Sequence, residues 1–411
     1  MDVIEQAEAV RIRGLLPRVF TPAAPVSRGE LFAGRNEQVQ RVLGAVASPG
    51  QHAIIFGERG VGKTSLASLI HYFWQASFHD SEIVTPWITC DTTDTFGTIW
   101  AKVLEATTDN FEIPSITAAN GSDIISAVME EINAAAATPD QVRRFFALAG
   151  SQFVVTIDEF DRVIDHDSRI LLADTIKSLA DHHVNATLVL VGVADTVTDL
   201  IEDHASIGRN LAQVLMPRMA LDELEDIVLR GLSRVDMTID PTALTAIASL
   251  SQGLPHYTHL LGLNASINAI QNGRKRVKMD DTGTAINASV ASAQQSIVAS
   301  YHAATFSTKP HALFRQVLLA CALTYGDDLA YFAPKEVAEP LSHITGKTYD
   351  VPNFIQHLHA FCDEERASVL ESTGSKYKQK YRFTDPLLRP YVMLRGIREG
   401  MVEADYVLHR A

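Results

Sequence analysis

Cysteine is scarce in this chain. The three residues, Cys90, Cys321 and Cys362, are spread across 411 positions, too few and too scattered for a disulfide framework or a zinc ribbon. No run of 18 apolar residues occurs, so no membrane-spanning segment is expected. The opening residues, MDVIEQAEAVRIRG, carry acidic side chains and no apolar core; a secretory leader is not expected, and a cytoplasmic protein is. Positive charge is in deficit: 35 Lys+Arg stand against 49 Asp+Glu, a formal charge of −14. That excludes a highly basic nucleic-acid coat protein, though not a local basic surface. Histidine pairs at His182-His183, His256 with His259, and His357 with His359 near Cys362 complete no three- or four-ligand set. No internal repeat is visible.

What is present is material for cores: 46% hydrophobic and 20% charged residues, over a length that fits two or three domains. The charge is unevenly spread. Residues 301–411 hold 13 Lys+Arg and 13 Asp+Glu, so residues 1–300 carry the whole −14 and a boundary near 300 is expected.

Hydrophobic patterning divides the chain further. After prolines at 17, 22 and 25, a helix is expected over about 36–47, then a short apolar strand, His52–Phe56, feeding a glycine-rich turn and a helix with Leu66, Leu69, Ile70 and Phe73 on one face. Strands are expected at Ile83–Thr89, Phe153–Ile157 and Thr187–Val193, with helices filling about 95–148. Continuous apolar strands alternating with helices predict a parallel sheet covered on both faces. From Asp222 to about Ile297 no strand pattern appears, and 221–235, 241–251 and 255–271 read as helices of a small bundle. Beyond 308, helices over 310–324, 334–342 and 351–362 precede a hairpin pairing SVLES with YRFTD, the plan of a winged helix.

The turn Gly57-Glu58-Arg59-Gly60-Val61-Gly62-Lys63-Thr64 satisfies G-x-x-x-x-G-K-[ST] in full, after a strand and before a helix. Glycines let the backbone aim successive N–H groups at phosphate oxygens, and the helix N-terminus adds partial positive charge. Lys63 is expected to reach the β- and γ-phosphates and the Thr64 hydroxyl to ligate Mg²⁺, with Ser65 beside them. Roughly 90 residues on, the buried strand ends in Asp158-Glu159. The first carboxylate suits the Mg²⁺ shell; the second suits a base that polarises water against the γ-phosphate. Asp195, just beyond the next strand, is either a γ-phosphate contact or, more simply, a helix cap. ATP and Mg²⁺ are the expected cofactors.

Leu31-Phe-Ala-Gly-Arg35, GERGVGKTSLA, TIDEFD, His204-Ala-Ser-Ile-Gly-Arg209 and Ser251-Gln-Gly253-Leu-Pro255 together resemble an AAA+ ATPase of the origin-recognition/initiator-like group, with features of STAND ATPases, over roughly residues 17–400. The resemblance implies an α/β P-loop NTPase core (17–220) after an N-terminal extension (1–16), a helical lid (221–300), a C-terminal winged-helix domain (301–400) and a tail (401–411). It implies that the stretch from Val19 and Phe20 to Pro22, and the Phe32–Arg35 box, pack around adenine. It implies that Arg209 is an arginine finger completing a neighbouring subunit's site, in a nucleotide-dependent homo-oligomer. Two departures stand out. Ala194 replaces the usual Asn, and His256 takes the place of a lid Arg, while Gly253-Leu-Pro255 has the Gly-x-Pro form of STAND switches. Pro255 and His256 are therefore the lid's candidate nucleotide contacts, and a slow ATPase is expected.

The output end has two readings. Lys376, Lys378, Lys380 and Arg382, with Tyr377 and Tyr381 interleaved, make a plausible wing for the backbone of double-stranded DNA, supplemented by Arg274, Lys275, Arg276 and Lys278. The third helix, VPNFIQHLHAFC, contains no Lys or Arg, leaving Asn353 and Gln356 as base readers. The same pattern fits a solvated hairpin and a module that docks a protein effector. The expected function is therefore an ATP-driven switch acting on DNA or, alternatively, within a bacterial defence or signalling complex.

Overall fold

The computed structural model describes residues 6–78, 82–110, 122–132, 137–194, 197, 200, 207–309, 312–327, 329–375 and 378–408. Contacts divide the chain into two compact units. One is Pro25–Glu58 with Gly62–Pro217; the other is Met1–Ala24, Arg59–Val61 and Arg218–Ala411.

The first unit is built on five strands: β1 (His52–Gly57), β2 (Trp87–Thr89), β3 (Phe153–Asp158), β4 (Ala186–Val193) and β5 (Leu211–Leu215). They run in the order β2-β3-β4-β1-β5, with every neighbouring pair parallel. β1 and β3 are buried at every residue, as continuous apolar strands covered on both faces must be. One face packs Ile54, Phe153, Ile157 and Leu190 against Trp100, Phe145 and Phe146, with Phe146 edge-on to Phe153 at 5.0 Å. The order sets the carboxyl ends of β3, β4 and β1 side by side, where α/β sheets bind ligands.

Three details differ from the sequence reading. The expected strand 83–89 is reduced to 87–89 plus an isolated bridge between Val84 and Phe153; Pro86 between them accepts from the Thr156 N–H but has none of its own to give. The helix after the glycine turn breaks at Leu69 into Lys63–Ser68 and Ile70–Ser77. β5, a half-exposed edge strand, is an addition.

In the second unit the helix Gln6–Val19 packs on Pro255–Gln271, burying Ile12, Leu16 and Val19, and Lys275 Nζ donates to Glu8. Helices Leu221–Ser233, Pro241–Leu250 and Pro255–Gln271 follow as expected, and Met279–Ala291 is a further one. The expectation of no strand here is corrected: β6 (Thr238–Ile239) and β7 (Arg276–Val277) pair in parallel. Helices Gln295–Thr305, Phe314–Ala322, Pro334–Thr345 and Val351–Phe361 lead to an antiparallel hairpin of β8 (Leu370–Thr373) and β9 (Lys380–Phe383), with a further bridge from Phe332 to Tyr381. Tyr257 Oη donates to the Leu387 carbonyl at 2.6 Å, joining the helical and C-terminal parts. Among the described residues no helix is long and apolar enough to cross a membrane.

Candidate functional site

The glycine turn leaves β1 through Gly57, whose φ is +145°; a Cβ there would lie 2.4 Å from the Met216 carbonyl oxygen, so only glycine fits. It reaches the next helix through Gly62, the N-cap, at φ +99°. Gly60 is also left-handed, and Val61 is buried. Lys63 opens the helix and is itself buried, its Nζ donating to the carbonyls of Gly57 (3.0 Å) and Glu58 (2.7 Å). The ammonium is thus held by the loop's own carbonyls. Ser65 faces the other way: its Oγ accepts the Val26 N–H at 3.1 Å, tying the lead-in segment to this helix.

Asp158, the last residue of β3, is 5% exposed. Its Oδ1 accepts the Glu159 N–H at 2.9 Å and the Thr64 Oγ1 at 3.5 Å. Burial pushes this carboxyl up from its ordinary value, with those two hydrogen bonds and Lys63 opposing. A buried, largely desolvated carboxylate facing a threonine hydroxyl is a donor set that gains from a hard dication. Thr64 and Asp158 therefore fit Mg²⁺. Bound there with nucleotide, the ion would supply charge neutralisation at the phosphate oxygens.

Glu159 follows in a left-handed backbone (φ +52°) as the cap of the short 3₁₀ turn Phe160–Arg162. Its carboxylate accepts from Arg162 Nη1 at 2.9 Å. Asp161, on the same turn, accepts the Val193 N–H at 2.9 Å through Oδ1, and a Cβ at Gly192 would crowd both Asp161 and Leu200. The end of β4 is thus hydrogen-bonded to the loop after β3. Sequence reading passed over Asp161 and Arg162; the signal was the length of TIDEFD, in which only the first two carboxylates had been given roles.

Of the other predicted residues, some belong to the first unit and some to the second. Arg35 is buried with a left-handed backbone, and its guanidinium donates to the Pro217 carbonyl. Phe20 is fully buried in the second unit, its ring occupying a notch opposite Gly231 and Gly262. Beside it, Pro255 begins its helix and His256 Nδ1 donates to the Pro22 carbonyl at 2.7 Å, while Thr21 N–H donates to His259 Nδ1 at 3.3 Å. Burial lowers the pKa of both histidines, that of His259 to about 4, so both are neutral near pH 7. Arg209 is exposed just before β5, at the sheet edge where His52 pairs with Leu211; a strand length of about 17 Å separates that edge from the glycine turn. Asp195 lies outside the described residues, as do Lys376 and Tyr377. Of the hairpin cations, Lys380 pairs with Asp327 at 2.7 Å, Arg382 pairs with Glu371 and covers the Tyr331 ring, and Lys378 is exposed.

With the turn, the buried carboxylate and the strand order in place, the comparisons with known proteins are consistent. The family nSTAND1, described as Novel STAND NTPase 1, matches residues 25–264. The chain belongs to nSTAND1. This nSTAND1 member has the AAA+ P-loop fold: the Walker-type ATPase of Pyrococcus abyssi shares it at 16% identity and a TM-score of 0.51, covering 91% of this chain and 99% of that one. The Orc1 protein of Aeropyrum pernix in complex with DNA is similar at 14% identity and a TM-score of 0.49, covering 93% and 96%. The Holliday junction branch migration motor RuvB of Thermotoga maritima is similar at 13% and 0.44, covering 92% and 98%. No curated protein sequence matches the chain.

Proposed function

We propose that this nSTAND1 protein is an ATP-hydrolysing molecular switch that binds ATP with Mg²⁺ and assembles in a nucleotide-dependent way. The observation that carries it is the meeting of Lys63, Thr64 and buried Asp158 at the carboxyl ends of β1 and β3, with Glu159 one residue beyond. Lys63 holds the β- and γ-phosphates, backbone N–H groups of the turn cradle them, and Glu159 orients and polarises a water towards the γ-phosphate. Arg209 stands too far from its own glycine turn to serve it and is assigned to a neighbouring copy.

For the output, docking of a protein effector is favoured over DNA. Lys380 and Arg382 already have carboxylate partners, and the helix Val351–Phe361 carries no Lys or Arg, its Asn353 side chain capping its own N-terminus through the Asp350 N–H. Both observations reduce the phosphate contacts available.

The test is ATP binding and turnover of the full-length protein, with and without duplex DNA. Lys63→Ala should abolish binding, and Glu159→Gln should bind normally and lose turnover. Unchanged affinity in the first or unchanged turnover in the second refutes the site. Turnover raised by duplex DNA, in a salt-sensitive way, would reverse the choice of output.

A further inference from the structure

We infer that Arg162 is a positioning residue that restrains Glu159: its guanidinium holds the carboxylate in an ion pair that must open before Glu159 can polarise water. The inference rests on the hydrolytic reading above and adds a control to it.

The turn dictates the pairing. Glu159 adopts a left-handed conformation that non-glycine residues adopt rarely and at a cost. It is held there from both sides, its N–H bound by Asp158 Oδ1 and its carbonyl accepting the Arg162 N–H at 3.0 Å. Between them, Phe160 is fully buried and Asp161 is bonded to the end of β4. The two middle residues anchor the turn inward, which leaves Glu159 and Arg162 together on its solvent-facing side at the i and i+3 positions. There Arg162 Nη1 lies 2.9 Å from Glu159 Oε2.

A charge-assisted hydrogen bond of this kind occupies one carboxylate oxygen, which is then not free to accept from a water. The same guanidinium is also within the influence of the Asp91 and Asp161 carboxylates, so it has other anions to turn to when Glu159 lets go. With the two side chains 49% and 47% exposed, the pair is water-accessible and opens readily. It is a brake on turnover rather than a lock. Arg162 touches neither phosphate nor water in this scheme; it acts through Glu159.

The experiment is single-turnover ATP cleavage by the full-length protein, with nucleotide affinity measured alongside, for Arg162→Ala, Arg162→Lys, Glu159→Gln and the Arg162→Ala/Glu159→Gln double variant. Arg162→Ala should cleave about two- to fivefold faster at unchanged ATP affinity, the range expected for freeing one exposed ion pair. Arg162→Lys should stay near the wild type, and the double variant should be as slow as Glu159→Gln alone. Equal or slower cleavage by Arg162→Ala, while Glu159→Gln still abolishes it, overturns the restraint and leaves the hydrolytic reading standing. If Glu159→Gln cleaves like the wild type, the base assignment fails first and the restraint fails with it.

Discussion

Asp158 shows how function and stability pull apart at a single residue. Its carboxyl is buried at the end of β3 with only an N–H and a hydroxyl facing it, and burial raises its pKa above that of the unfolded chain. A raised carboxyl pKa means that the folded state holds the proton more tightly. The contribution therefore favours folding at low pH and is lost as pH rises through the folded pKa. Where the group is ionised, in the absence of nucleotide, its burial costs stability that a cation meeting it would restore. Asp158→Asn should therefore raise the thermal midpoint of the nucleotide-free protein at pH 7 and abolish the further rise given by ATP with Mg²⁺. Thermal melts of both proteins, with and without the ligand, check this. A lower midpoint for the nucleotide-free variant would mean that the hydrogen bonds from Glu159 and Thr64 outweigh the desolvation.

Among elements, one aromatic ring just beyond Gln6–Val19 packs between the helices Leu221–Ser233 and Pro255–Gln271. Phe20 sits within 2.7 Å of where a Cβ would stand on Gly231, and 2.9 Å of one on Gly262. Two glycines on facing helices make the notch, and the ring fills it. Removing the ring leaves a cavity that two rigid helices cannot easily collapse, so Phe20→Ala should destabilise the fold by about 3–5 kcal/mol, read as a lower denaturant midpoint with an unchanged slope. Gly262→Ala should also destabilise, because the added methyl meets the ring. None of this was legible in the sequence, where Phe20 looked like a residue for a base; a glycine notch depends on two helices whose crossing is a tertiary fact. The glycine turn, Asp158 and the parallel sheet were legible because each rests on local chemistry: left-handed glycines, a buried apolar run, a carboxylate at a strand's end. β5 has a half-exposed pattern, and β6 and β7 are two residues each, too short to show any period. Asp161 acts through the β4 backbone, which no residue pattern announces.

For the whole molecule, the sheet order decides what Arg209 can do. β5 starts where β1 starts, and the glycine turn begins where β1 ends, so Arg209 and the turn lie at opposite ends of these neighbouring strands. A guanidinium side chain spans far less than the intervening strand, and Arg209 cannot reach the turn that leads into its own Lys63. If it contributes to hydrolysis, it does so in another copy, and turnover then rises with protein concentration as copies associate. Arg209→Ala alone should lose most turnover while keeping ATP affinity; Lys63→Ala alone should lose both. Mixed, the first supplies intact nucleotide sites and the second intact arginines, so interfaces of the two kinds of chain should recover a measurable part of the wild-type rate. Recovery that grows with concentration and vanishes on dilution places Arg209 across an interface. A mixture as inactive as its parts, under conditions where both chains co-assemble, removes Arg209 from the site and leaves Lys63, Asp158 and Glu159 to work within one chain.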